Sequence, residues 1–302
     1  MFDLQINGYA GADFNSDQLN ADALHHACQC LEQDGVFGIL ATIITDDLDA
    51  MCRRLRNLVQ LISQDPLAQK IIAGIHIEGP FISPEPGYVG AHPARFVKPA
   101  HPDDAKRLLE AAGDLALLVT LAPELDTGFT TTQWLTSQGI CVAAGHCNPT
   151  LDILNAACDH GLRMFTHLGN GCPKDLHRHD NIIQRALSLH ERLWICFIAD
   201  GVHIEPFALK NYLRAAGIDR SILVTDAISA ARLGPGRHTL GSWELDIGED
   251  LVARSPDNSH FVGSTITWPR MQTFALDQLC LDETQLHQLT FKNPLTALGV
   301  AG

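Results

Sequence analysis

Ile71-Ile72-Ala73-Gly74-Ile75-His76-Ile77-Glu78-Gly79-Pro80 is a short apolar run that ends in ionisable side chains, and its reading decides the fold. It is too short for a globular helix. It also lacks the strict alternation of a half-exposed strand, so 71–77 reads as a parallel strand buried on both faces. The pattern recurs at 2–6, 36–44, 115–121, 140–144, 162–165, 194–199 and 222–225. Helical stretches such as 47–63, 102–112, 151–160 and 207–216 lie between these runs. In 47–63, Leu48, Met51, Cys52, Leu55, Leu58, Val59 and Ile62 share one helical face, and Gly113, Gly161 and Gly217 stop three of the helices. Eight strands, each followed by a helix or long loop, predict an α/β protein of the (β/α)8 TIM-like barrel type, which takes about 250 residues. A doubly wound open sheet is the alternative. It would want a glycine-rich phosphate loop after the first strand, where Asn7-Gly8-Tyr9-Ala10-Gly11 is only a turn.

Beyond the eighth strand the pattern changes. Residues 231–263 hold several Gly and Pro and two short alternating runs, 243–247 and 251–254, which predict a β-hairpin insertion over one mouth of the barrel. Helical sequence resumes at Pro269, and the expectation is one catalytic barrel domain over 1–302. With 21 Lys+Arg against 35 Asp+Glu the net charge is −14, which argues against a nucleic-acid groove built on clustered cations. No apolar run approaches the ~18 residues of a membrane span. The opening MFDLQINGYAG has neither a basic nor an apolar leader region, so a cytoplasmic protein is expected. Nine cysteines without regular spacing read as reduced side chains packed as small hydrophobes.

The polar residues that follow the strands carry the functional reading. Glu78 follows the third strand, His146 the fifth, His167 the sixth and Asp226 the eighth, while Asp200-Gly201-Val202-His203 follows the seventh. A lone histidine at a strand end is ordinarily a hydrogen-bonded structural residue, and a lone aspartate there often caps the next helix. Their joint occurrence is harder to explain that way, because a closed barrel brings these ends to one rim. Two imidazoles and a carboxylate leave an open position, as catalytic zinc sites do, and such a metal lowers the pKa of its water to about 7. Asp226 is placed to take that proton and deliver it to a leaving amine. His25, His26, His101, His160, His190 and His287 sit in surface-type contexts and need no function.

The segments DLQINGYAGADFN (3–15), HIEGPFISPEPGYVGAHP (76–93), AAGHCNPT (143–150), FTHLGNGCP (165–173), IADGVHIEP (198–206), LVTDAISA (223–230) and VGSTIT (262–267) together resemble the amidohydrolase superfamily. Within it they resemble the N-acetylglucosamine-6-phosphate deacetylases. The resemblance implies metal ligands at Glu78, His146 and His167 and a catalytic aspartate at Asp226. It implies substrate contacts at His203, at His92 (which would hold or polarise the substrate), at Asn170 and Gly171, and a phosphate-binding arginine at Arg178. Gly263-Ser264-Thr265 resembles a segment whose backbone passes the substrate. Gln5-Ile6-Asn7 stands where many superfamily members carry His-x-His for a second metal, and amides are poor ligands beside imidazole. One divalent metal is therefore expected, zinc first, with iron or another divalent ion as alternatives.

The activity so implied is hydrolysis of N-acetylglucosamine 6-phosphate to glucosamine 6-phosphate and acetate by a small-molecule enzyme, with a homodimer as a further implication. The chain departs from the pattern in the loop HLGNGCPKDLHRHDN (167–181), where Lys174, His177, Arg178 and His179 suit an anion. It also leaves no room for the β-sandwich that deacetylases usually build from both chain ends. These departures keep two rivals open: hydrolysis of another N-acyl or cyclic amide, and a catalytically silent barrel used for binding.

Overall fold

The computed structural model describes residues 1–240, 243–257 and 261–299. Parts of the expected insertion (241–242 and 258–260) and the last three positions of the expected 1–302 domain therefore lie outside the described residues. Eight parallel strands form the barrel: β1 (Phe2–Ile6), β2 (Gly38–Ile44), β3 (Ile72–Glu78), β4 (Ala116–Leu121), β5 (Cys141–Ala144), β6 (Leu162–Phe165), β7 (Trp194–Ile198) and β8 (Ser221–Val224), paired in chain order. The principal helix after each is α1 (Ala21–Gln33), α2 (Leu48–Gln64), α3 (Pro102–Ala112), α4 (Thr130–Ser137), α5 (Leu151–Asp159), α6 (Ile182–Ser188), α7 (Pro206–Ala216) and α8 (Trp268–Asp277), with a short extra helix, Pro66–Ile71, between α2 and β3. The helix starts are written locally. Asn20, Asp47, Thr150 and Asn181 accept backbone N–H groups at the N-termini of α1, α2, α5 and α6.

The barrel interior is layered, and the layering sets the depth of the rim. Because side chains alternate along a strand, Phe2 and Leu4 of β1, Leu40 of β2, Leu118 of β4, Ala143 of β5, Met164 of β6, Cys196 and Ile198 of β7, and Ile222 and Val224 of β8 form one apolar cluster. Leu295, from the C-terminal helix Asn293–Leu298, packs into the same cluster. Two residues further along β2, β3 and β4 the interior turns polar. His76 Nε2 lies 2.8 Å from Thr120 Oγ1, and its Nδ1 lies 3.5 Å from Thr42 Oγ1. Burial lowers the His76 pKa to about 4, so this layer is neutral. Glu78 stands two residues beyond His76, one layer nearer the rim.

The seam between β1 and β8 is closed by side chains as much as by backbone. Asn7 N–H donates to the Ala227 carbonyl at 2.7 Å, and the buried Asp3 accepts the Thr225 hydroxyl at 2.6 Å and its N–H at 3.2 Å. The insertion differs from the expected hairpin. It is a three-stranded antiparallel sheet of β9 (Gly236–Leu240), β10 (Trp243–Ile247) and β11 (Ala253–Arg254). The run at 236–240 is exposed and polar along most of its length, which hid its pairing with β10 from a reading by hydrophobicity. Past this sheet, Ser264 N–H donates to the Asp226 carbonyl at 2.9 Å, so the segment after the sheet is stitched to the end of β8.

Burial raises the Asp3 carboxyl to about 7, against an unfolded value near 3.9. The folded state thus keeps this proton longer than the unfolded state. Its contribution to stability is full below about pH 4 and declines as pH rises towards 7. Asp3→Asn keeps an acceptor for Thr225 and removes the ionisation. Its Tm relative to wild type should therefore move upward between pH 4 and pH 8. A pH-independent difference in thermal unfolding would show that Asp3 does not titrate at the seam.

Candidate active site

The ends of β3, β5 and β6 deliver three donors to one point. His167 Nε2 lies 2.8 Å from Glu78 Oε1, His146 Nε2 lies 3.5 Å from that oxygen, and the two Nε2 atoms are 3.2 Å apart. Ligands about 2.0–2.1 Å from a tetrahedral ion stand about 3.3 Å from each other, so the triangle has the size of a metal-ligand set. Its chemistry also fits. His146 Nδ1 donates to the Tyr88 carbonyl at 2.8 Å, so Nε2 is the ring nitrogen turned to the triangle. Burial would raise the Glu78 pKa, but hydrogen bonds and charge from His146 and His167 hold it well below the usual carboxylate range. His167 is raised, because its contact with Glu78 outweighs its burial. Glu78, His146 and His167 are 3%, 7% and 3% exposed, too sealed for a chance surface cluster.

The backbone is bent to achieve this. His146, His167 and Asp226 have φ of +50°, +26° and +51°, three of the eight non-glycine residues with positive φ among the described residues. Such strain collects where the surroundings impose a functional geometry. Space for the His146 ring comes from glycine. A Cβ on Gly171 (φ +59°) would lie 2.8 Å from His146 Nδ1, and one on Gly90 3.0 Å from its Cε1. Gly171 was expected at a substrate contact. It lines the cavity, and it also makes the gap in which this imidazole sits.

Asp226 sits across the cavity. Asn7 Nδ2 donates to its Oδ1 at 2.7 Å, and burial together with the Glu78 charge raises its pKa to about 6. His203 belongs to a built pair. Its Nδ1 lies 2.7 Å from Asp200 Oδ2, and Asp200 Oδ1 accepts the N–H groups of Val202 and His203, each at 2.9 Å. Burial alone would lower the His203 pKa and raise that of Asp200. Their mutual bond reverses both effects, lifting His203 and holding Asp200 at about 2. His92 is different. Its Nδ1 lies 2.8 Å from Thr45 Oγ1, and Thr45 Oγ1 donates to the Glu78 carbonyl at 3.3 Å. With the Thr45 proton committed there, His92 Nδ1 must be the donor, so Nε2 carries a lone pair 4.0 Å from Glu78 Oε2. Burial and the neighbouring His146 lower the His92 pKa to about 3. Glu78, His92 and His146 also offer ligand atoms within 4.8 Å of one another. The shorter distances favour His167 over His92 as the third donor.

Glu78, His92, His146, His167, His203 and Asp226 line one cavity of about 750 Å³, together with Asn7, Asn170, Gly171, Lys174, Arg254, Phe261 and Gly263. Five buried side-chain polar atoms lack a partner among the described residues, and three of them, Asn7 Oδ1, His167 Nδ1 and Asn170 Nδ2, belong to residues on this cavity. Orphan atoms gathered in one place mark a site built for a ligand. Arg178 is exposed and is not among the residues lining the cavity, whereas Lys174 and Leu176 of the same loop are. The sequence reading had no signal for Thr45 or Arg254, and it grouped Lys174 with the other cations of its loop without singling it out. It singled out Gln5 only as a missing ligand, yet Gln5 Nε2 donates to Glu78 Oε1 at 3.0 Å and its Oε1 accepts the Thr166 hydroxyl at 2.7 Å.

An N-acetylglucosamine-6-phosphate deacetylase of Danio rerio is 35% identical over 257 residues, covering 81% of this chain and 61% of its own length. One of Bacillus subtilis (strain 168) is 31% identical over 249 residues, covering 82% and 62%. In structure, a Mycobacterium smegmatis N-acetyl-D-glucosamine-6-phosphate deacetylase mutant, solved in complex with N-acetyl-D-glucosamine-6-phosphate, superposes with a TM-score of 0.88. That match has 27% identity over 99% of this chain and 77% of the other. The chain is similar to the N-acetylglucosamine-6-phosphate deacetylases of the amidohydrolase superfamily. It spans about 60% of the length of the deacetylases named first. An N-acetylgalactosamine-6-phosphate deacetylase of Escherichia coli O157:H7 is 27% identical over 304 residues, 99% of this chain and 77% of its own length. No protein-family model matches the chain. Among the described residues no helix is long and apolar enough to cross a membrane.

Gly171→Ala tests the cradle. The added methyl must displace the His146 ring, so metal bound per chain, measured by elemental analysis, should fall by about tenfold or more at limiting metal. Wild-type metal retention would show that Gly171 does not set the ligand.

Proposed function

We propose that this chain is a metal-dependent amide hydrolase that removes the acetyl group from a phosphorylated amino sugar. N-acetylglucosamine 6-phosphate is the first substrate, giving glucosamine 6-phosphate and acetate. The observation that carries this is the meeting, in one cavity, of the Glu78–His146–His167 triangle with Asp226 and the unpartnered Asn170 amide. Glu78, His146 and His167 would hold one divalent ion, zinc first, and such an ion supplies Lewis-acid chemistry, polarising an amide carbonyl and acidifying water. Asp226 takes a proton from the attacking water and returns it to the departing nitrogen, so that water and amide become carboxylate and amine. Its raised pKa suits both halves of that transfer. His203, protonated beyond the ordinary histidine range by Asp200, donates to the carbonyl oxygen as negative charge develops there. His92 presents a lone pair, so it accepts from a substrate hydroxyl or N–H and does not polarise the carbonyl. Two copies of the chain would form the dimer that the resemblance implies.

A second substrate is favoured by one observation: the N-acetylgalactosamine-6-phosphate deacetylase relative aligns over 99% of this chain. Acetate release from the two epimeric sugar phosphates, measured side by side, chooses between them, and release from neither would defeat the deacetylase reading. Asp226→Asn should keep its metal while turnover falls about 10²- to 10⁴-fold. Near-wild-type turnover would remove Asp226 from the proton transfer. For Asp200→Asn, loss of the neighbouring carboxylate lowers the His203 pKa. The alkaline limb of the kcat profile should then move to lower pH, and an unmoved limb would show that His203 does not act as the acid.

A further inference from the structure

The cavity lining carries cationic side chains that the family resemblance does not predict. Arg178, which the resemblance assigned to an anion, and Lys174 are both exposed, but Arg178 is not among the residues lining the cavity. Lys174, four residues earlier in the loop between β6 and α6, lines the cavity, and so does Arg254 at the end of β11. The two cations are not equivalent. Arg254 binds both oxygens of Asp250, at 3.1 Å and 2.6 Å, so a neighbour already matches its charge. Lys174 has no ion pair or hydrogen bond among the described residues.

The position of Lys174 is fixed from behind. Gly87 (φ +86°), in the loop after β3, packs so closely on Pro173 that a Cβ there would lie 2.7–3.0 Å from its atoms. The backbone just before Lys174 is therefore clamped between two rim loops, and the ammonium group hangs from a fixed point. The cavity also holds the carboxylates of Glu78 and Asp226, which repel an anionic group. On a hexosamine the 2-amide and the 6-position lie on opposite sides of the ring. A substrate with its amide at Asp226 thus turns its 6-substituent away from that carboxylate, where a cation on the lining can meet it.

We infer that Lys174 is the residue that selects phosphorylated over neutral amino sugars, supplying from the same chain the cation that Arg178 was expected to provide. The inference rests on the deacetylase reading given above. It is tested by measuring kcat/KM for N-acetylglucosamine 6-phosphate and for N-acetylglucosamine with wild type, Lys174→Ala, Lys174→Arg and Arg178→Ala. Losing a charge-assisted contact to phosphate should lower the ratio of the two kcat/KM values about tenfold or more in Lys174→Ala, mainly through KM for the phosphorylated sugar. Lys174→Arg should restore most of it. An unchanged ratio in Lys174→Ala, or a collapse confined to Arg178→Ala, overturns the inference while leaving the deacetylase reading intact. A wild-type chain that releases acetate from neither sugar overturns both.

Discussion

Glu78 is a carboxylate sealed at the end of a barrel strand, and a buried charge of that kind persists only where opposite charge and hydrogen-bond donors reach it. Much of the rim can be read as the means of supplying them. His167 and His146 approach from β6 and β5, Gln5 donates from β1, and Thr45 ties the Glu78 carbonyl from the loop after β2. None of these partners is near Glu78 in sequence. They meet because eight parallel strands of similar length end on one ring, above an apolar cluster that sets their height. On β2, β3 and β4 the neutral layer of Thr42, His76 and Thr120 separates that cluster from the charged rim, so the change from oil-like to ionic surroundings there happens over a few residues.

The same constraint accounts for the strain. A strand that simply ran on would carry the side chains of 146, 167 and 226 past the barrel axis. A positive φ at each turns them back over the mouth, at a cost that packing elsewhere must meet. The neighbouring backbone has given way to match, with Gly171 and Gly90 leaving room for the His146 ring and Gly263 passing close to the Asp226 carbonyl. Glycine in this loop is thus a steric complement to a strained histidine, a role distinct from contacting substrate.

What could be read from the sequence follows from range. Strand ends are local: an apolar run that breaks at Glu78, His146, His167 or Asp226 announces both the strand and the residue it delivers, so the barrel and its rim were visible in advance. Helix starts are local too, since Asp47 and Thr150 cap the residues directly after them. Partners across the barrel are not. Gln5 and Glu78 are 73 residues apart and Thr166 and Gln5 are 161 apart, and no spacing rule reports such pairs. Direction along an irregular loop is equally invisible. Residues 174 and 178 both read as cations suited to an anion, and only the path of the chain shows that Lys174 lines the cavity while Arg178 does not. The strand Gly236–Leu240 was missed because exposed polar residues give an edge strand no hydrophobic period.

The amides of the first strand show why a single-ion reading suits this rim. An imidazole at position 5 or 7 would offer a lone pair, whereas Gln5 and Asn7 turn N–H groups towards Glu78 Oε1 and Asp226 Oδ1. Each donor occupies a carboxylate lone pair that a second cation would need, and it stabilises the charged form of the carboxylate without adding positive charge. Among the described residues Asp226 thereby has one oxygen tied and no hydrogen bond on the other, as the proposed proton transfer requires. On this geometry the Gln-x-Asn pair orients both carboxylates by hydrogen bonds.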